Sequence, residues 1–155
     1  MNSYDPKKAA QVWARVQAQT PVIPDSALVM PMIAEERADA TMYLHLSRRF
    51  QGKQSAALRR MAQQEQAHAA QLKGICALCA EKLPPLRTPP APKESTAVLL
   101  RQCYEREKAS AVRYRLHAQH SEHGALFARL AAQEEEHCAI LLELLGSLDK
   151  PTRRK

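Results

Sequence analysis

Glycine is scarce, with four in 155 residues, and Val and Ile together number only ten against 26 Ala and 18 Leu. A β-sandwich or barrel wants many β-branched residues and frequent glycine turns, so this composition excludes both. What remains is a helix-forming alphabet and an all-α expectation. No apolar run approaches the ~18 residues that a membrane span needs, so no membrane partner is expected. The opening stretch Met1–Gln17 has no apolar core of the signal-peptide kind, and the expected location is cytoplasmic. Cysteine is also sparse. Cys76 and Cys79 form one CxxC, and no second pair exists to complete a four-thiolate site. These two, with Cys103 and Cys138, fall in helical patterns and are expected to be small core residues. Basic residues exceed acidic ones, 23 to 16, but four positive charges sit in the basic tail, 150–155. No basic residues interleave with aromatics, so a nucleic-acid partner is not expected.

The length fits one domain with a sizeable core. Residues 1–25 form an N-terminal extension, with a short amphipathic helix over 7–18 carrying Ala9, Val12, Trp13 and Val16 on one face. The periodicity then predicts a four-helix bundle over 26–149. A long helix runs to about residue 50, near Gly52, and a second spans about 54–82. A third, capped by Ser95, spans about 96–121, and a fourth spans about 125–145 and stops at Gly146. Residues 26–82 and 96–146 thus read as duplicated helix hairpins. The crossover 83–95 between the second and third helices holds five of the ten prolines. Thirteen extended residues cover roughly 40 Å, about the length of a helix of 25 to 28 residues, so the crossover can run the length of a bundle.

At heptad spacing each helix shows one inward stripe. The first carries Val29, Ile33, Glu36, Ala40, Tyr43 and Ser47. The second carries Leu58, Met61, Glu65, His68 and Leu72. The third carries Leu100, Cys103, Glu107, Ser110 and Tyr114, and the fourth Phe127, Leu130, Glu134, His137 and Leu141. Four glutamates and two histidines therefore point into the core. Buried, unpaired carboxylates cost several kcal/mol each, and no Lys or Arg lies on the stripes to neutralise them. A pair of bound cations would. The heights agree within about 10 Å, counting residues from each turn at 1.5 Å per residue. Two Glu-x-x-His elements occur, Glu65/His68 and Glu134/His137, each preceded by a helix with Glu and, seven residues on, Tyr: Glu36/Tyr43 and Glu107/Tyr114. Glu35, Glu105, Glu135 and Glu136 fall off the stripes and are expected to be solvated, as is Asp39. His45, His120 and His123 are expected to be exposed, and His117 to be a polar residue at the end of the core.

One Glu from each of two helices plus Glu-x-x-His from the other two resembles the ferritin-like superfamily of carboxylate-bridged di-iron proteins. The resemblance covers about residues 26–146. The phrases Glu-Arg-Ala-Asp-Ala-Thr-Met-Tyr and Leu-Ala-Ala-Gln-Glu-Glu-Glu-His are most similar to the rubrerythrin group, here without its rubredoxin-type four-cysteine site and with Ser110 where that group carries an extra Glu. The resemblance implies Glu36, Glu65, His68, Glu107, Glu134 and His137 as ligands of two iron ions per chain, with manganese as the other candidate. Glu65 and Glu134 would bridge, and Tyr43 and Tyr114 would stand beside the ligands as proton-supplying residues.

Carboxylates with one imidazole per metal suit iron or manganese rather than a thiolate-seeking ion. The expected function is an oxidoreductase, a non-haem di-iron peroxidase that reduces hydrogen peroxide to water. Its electrons would come from an external donor protein, rubredoxin-like or other. The alternatives are a ferroxidase that handles iron with O₂ or peroxide, and a di-manganese catalase. A homo-oligomer, with a dimer favoured, is the expected assembly.

Overall fold

The computed structural model describes residues 25–76 and 90–149, together with Lys7 and Gln11. Among the described residues there are four helices and no strand, an arrangement that fits a four-helix bundle. They are α1 (Asp25–Ser47), α2 (Gly52–Gly74), α3 (Thr96–His120) and α4 (Gly124–Leu148). None is long and apolar enough to cross a membrane. The N-terminal extension, apart from helical backbone at Lys7 and Gln11, lies outside the described residues. So do the tail and residues 83–89 of the proline-rich crossover.

Three helix ends differ from expectation. α1 stops at Ser47, where Arg48 N–H and Arg49 N–H bond back to the carbonyls of His45 and Leu46 in a tight turn. α2 stops at Gly74, with Ile75 as its C-cap, and the rest of the expected span, 77–82, lies outside the described residues. α4 passes through Gly146 to Leu148, since a glycine permits a helix end without compelling one. Glycine is required at two other places. Gly52 opens α2 with φ +54°. A Cβ at Gly124 would stand 2.5 Å from the carbonyl oxygen of Ala118, so only glycine lets α3 and α4 turn this closely. Ser95 caps α3 as expected, its hydroxyl accepting from Val98 N–H at 3.4 Å.

Helices α1 and α2 pack closely as one antiparallel hairpin and α3 and α4 as another, while the backbones of different hairpins stand further apart. Arg49 donates to the carbonyls of Pro92 and Glu94, which sets the start of α3 beside the α1–α2 turn, opposite the Gly74 end. The predicted stripes are the core. Their apolar members form two clusters at different heights. The upper holds Val29, Ile33, Leu72, Tyr114, Phe127 and Leu130. The lower holds Tyr43, Leu58, Met61, Leu100, Cys103 and Leu141. Each Leu, Ile or Phe fully buried in this way contributes roughly 1.5–3 kcal/mol. Between the two clusters lies a polar layer.

Candidate metal centre

The polar layer is made of the six stripe residues Glu36, Glu65, His68, Glu107, Glu134 and His137, none more than 3% exposed. Each helix contributes because a heptad stripe with buried residues above and below carries a glutamate in the middle. The i, i+3 spacing of Glu65/His68 and Glu134/His137 then puts carboxylate and imidazole on the same face, one turn apart.

His68 Nδ1 lies 3.1 Å from Glu36 Oε2, 3.2 Å from Glu65 Oε2 and 3.0 Å from Glu134 Oε1. His137 Nδ1 lies 2.7 Å from Glu65 Oε1, 3.5 Å from Glu107 Oε2 and 3.4 Å from Glu134 Oε2. Two overlapping four-residue groups result, Glu36–Glu65–His68–Glu134 and Glu65–Glu107–Glu134–His137. Within each group the ligand atoms lie within 4.8 Å of one another, and Glu65 and Glu134 belong to both. Such buried clusters can hold metal ions.

The tyrosines are placed reciprocally. Tyr43 on α1 donates its hydroxyl to Glu107 on α3, and Tyr114 on α3 donates to Glu36 on α1. Both rings are fully buried. Burial, then the adjoining Glu107, raises the Tyr43 phenol well above its ordinary value. Burial and Glu36 do the same to Tyr114. Both phenols therefore keep their protons and act as fixed donors.

Two further residues complete the pattern. His68 Nε2–H donates to Gln133 Oε1 at 2.9 Å, and His137 Nε2–H donates to Gln64 Oε1 at 3.0 Å. A glutamine oxygen can only accept, so it fixes the proton on Nε2 and turns Nδ1 toward the carboxylates. Each histidine is thus oriented by a glutamine of the other hairpin. Sequence reasoning passed over both glutamines. Their signal is present, since the residue before each Glu of Glu-x-x-His is Gln.

The electrostatics shows what the layer lacks. Four carboxylates face two imidazoles. Burial, together with neighbouring Glu65 and Glu134, raises Glu36 to about 9. Burial and the same neighbours raise Glu107 to about 10. Burial alone would depress both histidines, but the surrounding carboxylates prevail and push each to about 12. For Glu65 and Glu134, burial is outweighed by hydrogen bonds from the histidines, and both are lowered. Without cations, the charge is balanced by protons alone. Even so, Glu65 Oε1, Glu134 Oε1 and His137 Nδ1 are buried with charged neighbours at 2.7–3.4 Å but no hydrogen bond of good geometry. Orphaned donor atoms of hard oxygen and imidazole type, in the two groups just described, fit divalent iron or manganese.

The surrounding residues divide. Glu35 and Glu135 are exposed and paired with Arg113 and Arg115. Glu105 and Glu136 are exposed. Asp39 is not solvated as expected. It is 9% exposed and accepts from Arg106 Nε at 2.7 Å. His117 packs against Phe127 with ring centroids 5.3 Å apart. His45 and His123 are half-buried, and His120 is exposed. Cys103 is buried in the lower cluster and Cys138 is half-buried, both free thiols. Cys76 lies beyond the end of α2 rather than within a helix. It is buried against the upper cluster and is disulfide-bonded. Cys79 is outside the described residues.

No protein-family model, no curated protein and no solved structure matches this chain.

Proposed function

We propose that the chain is a di-iron oxidoreductase of rubrerythrin-like type that reduces hydrogen peroxide to water with electrons from an external donor protein. The observation that carries this reading is the pair of ligand groups sharing Glu65 and Glu134. Two ions set side by side, each with one histidine and one further glutamate, would share those two carboxylates. The resemblance of the helix stripes to ferritin-like carboxylate proteins supports it.

Iron bound in this way supplies two electrons, one from each ion, which is the number that cleaves one peroxide. The remaining work belongs to the protein. Glu36 and Glu107 would each serve one ion, held in orientation by the hydroxyls of Tyr114 and Tyr43. Gln133 and Gln64 would keep each Nδ1 directed at its ion. The apolar clusters above and below exclude water along the bundle axis. This strengthens every electrostatic interaction in the layer. The electron donor is proposed as a separate protein, since the helices that hold the layer carry no four-cysteine site of their own.

The test is an anaerobic titration with Fe(II), followed by mixing with peroxide or with O₂. Two ions per chain are expected, with fast oxidation by one equivalent of peroxide per pair, slow oxidation by O₂, and iron that stays bound and can be re-reduced. Fast O₂ consumption with iron released or accumulating well beyond the pair would favour iron handling. Peroxide disproportionation by the manganese-loaded protein alone would favour a catalase. A folded protein that binds no metal would remove the site altogether.

A further inference from the structure

The polar layer is closed on three sides. The upper and lower apolar clusters shut it along the bundle axis. Toward the α2/α4 side, Gln64 and Gln133 occupy the Nε2 atoms of both histidines. Two surface grooves lie on that side, and none of the six layer residues lines either. One, of about 420 Å³, sits at the height of the lower cluster against Ile140 and Leu144. The other, of about 300 Å³, is walled by Arg60, Gln63 and Ala67 and ends at Gln64.

The α1/α3 side is different. A cleft of about 240 Å³ is lined by Glu35, Asp39, Arg106, Ala109, Ser110 and Arg113. Asp39 and Ser110, each 9% exposed, form its floor. They follow Glu36 and Glu107 by three residues, so they stand one helical turn from the two glutamates on the same faces. The walls are cross-helix ion pairs, Arg106 to Asp39 at 2.6 Å and Arg113 to Glu35. Arg113 also donates to Ser110 Oγ at 3.3 Å. Two carboxylates meet two guanidiniums, so the lining carries no net charge. It offers hydrogen bonds from Arg and Ser and to Asp, and it offers a passing cation no excess of acidic groups.

We propose that this cleft is the entry and docking site for a small uncharged polar oxidant, hydrogen peroxide in the first instance, on its way to Glu36 and Glu107. The assignment rests on the peroxide reading for the identity of the guest, but the route itself can be tested without turnover. Nitric oxide is a neutral diatomic that binds ferrous iron without being consumed, and its association with the Fe(II)-loaded protein reports access alone. Ser110→Leu fills the floor of the cleft. Ala109→Phe fills it from an exposed position and so is tolerated even where Ser110→Leu misfolds. With iron content unchanged, both should slow nitric oxide association and peroxide oxidation by about tenfold or more, because an obstructed route lowers the association rate. Ala67→Leu, in the groove outside Gln64, should alter neither. Unchanged rates in both cleft variants, or equal slowing by Ala67→Leu, would overturn the assignment. If the cleft variants slow nitric oxide but the parent protein does not react with peroxide, the functional reading falls and the route stands.

Discussion

Metal binding at the polar layer has to displace protons, and the environment of each ligand says how many. Glu36, held at about 9, and Glu107, held at about 10, are neutral carboxyls in the metal-free protein at neutral pH. His68 and His137, held at about 12, carry protons on both ring nitrogens. Metal ions take glutamate as carboxylate and histidine through a bare nitrogen. Two carboxyl protons and two Nδ1 protons must therefore leave, about four for each filled pair of sites. The overall affinity should then climb by up to about four decades per pH unit above neutrality, flattening as the carboxyls begin to ionise unaided. The same protons set the stability of the metal-free protein. All four groups have folded values above their ordinary 4.5 or 6.5, so the folded chain binds more protons than the unfolded one. Their contribution is complete below 4.5 for the carboxyls and 6.5 for the histidines, and it is lost as pH rises toward the folded values. Glu65 and Glu134, both lowered, run the other way and lose their contribution as pH falls below 4.5. The metal-free protein should thus be most stable in mildly acidic solution, and loading with metal should remove the alkaline loss. Calorimetric titration with Co(II) in buffers of different ionisation enthalpy counts the protons, and thermal melts across pH give the stability. Release of fewer than about two protons, or a metal-free melting temperature that rises from mildly acidic to mildly alkaline pH, would refute the reasoning.

Two further outcomes follow from the same geometry. Glu36→Gln and Glu107→Gln replace a neutral carboxyl with a group of the same shape, so the metal-free melting temperature at neutral pH should change little while one ion is lost from the Co(II) stoichiometry. A collapse of the fold would show that these residues are ionised there. Gln64→Leu and Gln133→Leu each free one histidine from its cross-hairpin acceptor and should weaken Co(II) binding by about 10–100-fold, which Gln→Glu should restore. Unaltered affinity would mean that the carboxylates alone orient the rings.

The sequence made the six inward polar residues legible because heptad position is a strong constraint on a long helix. Once Leu58, Met61 and Leu72 face the core, Glu65 and His68 must face it too. Other features depend on geometry that periodicity does not encode. The end of α1 at Ser47 is set by turn hydrogen bonds rather than by Gly52, and α2 ends at Gly74, where Cys76 N–H bonds back to the carbonyl of Lys73. Gln64 and Gln133 lie off the stripe, so a one-face reading treats them as solvated, although their oxygens reach between the hairpins to the histidine rings. Asp39 reads as a surface aspartate until Arg106, 67 residues away, closes over it.

Those off-stripe residues show what the polar layer does for the fold. Within each hairpin the helices pack closely, whereas the two hairpins meet across a wider gap. Many of the side-chain hydrogen bonds that cross this gap touch the layer or its rim. Tyr43 reaches Glu107, Tyr114 reaches Glu36, His68 reaches Gln133, His137 reaches Gln64, and Arg106 reaches Asp39. The apolar clusters hold the hairpins together without specifying their height, because leucine packs against leucine in more than one register. The reciprocal polar bonds do specify it, since a shift of one turn would leave buried donors and acceptors unpaired at about 1–3 kcal/mol each. Alignment of the hairpins and assembly of the ligand groups are therefore one event. Ions that join Glu65 to Glu134 would tie α2 to α4 directly, so occupancy of the site should be felt as stability of the whole bundle.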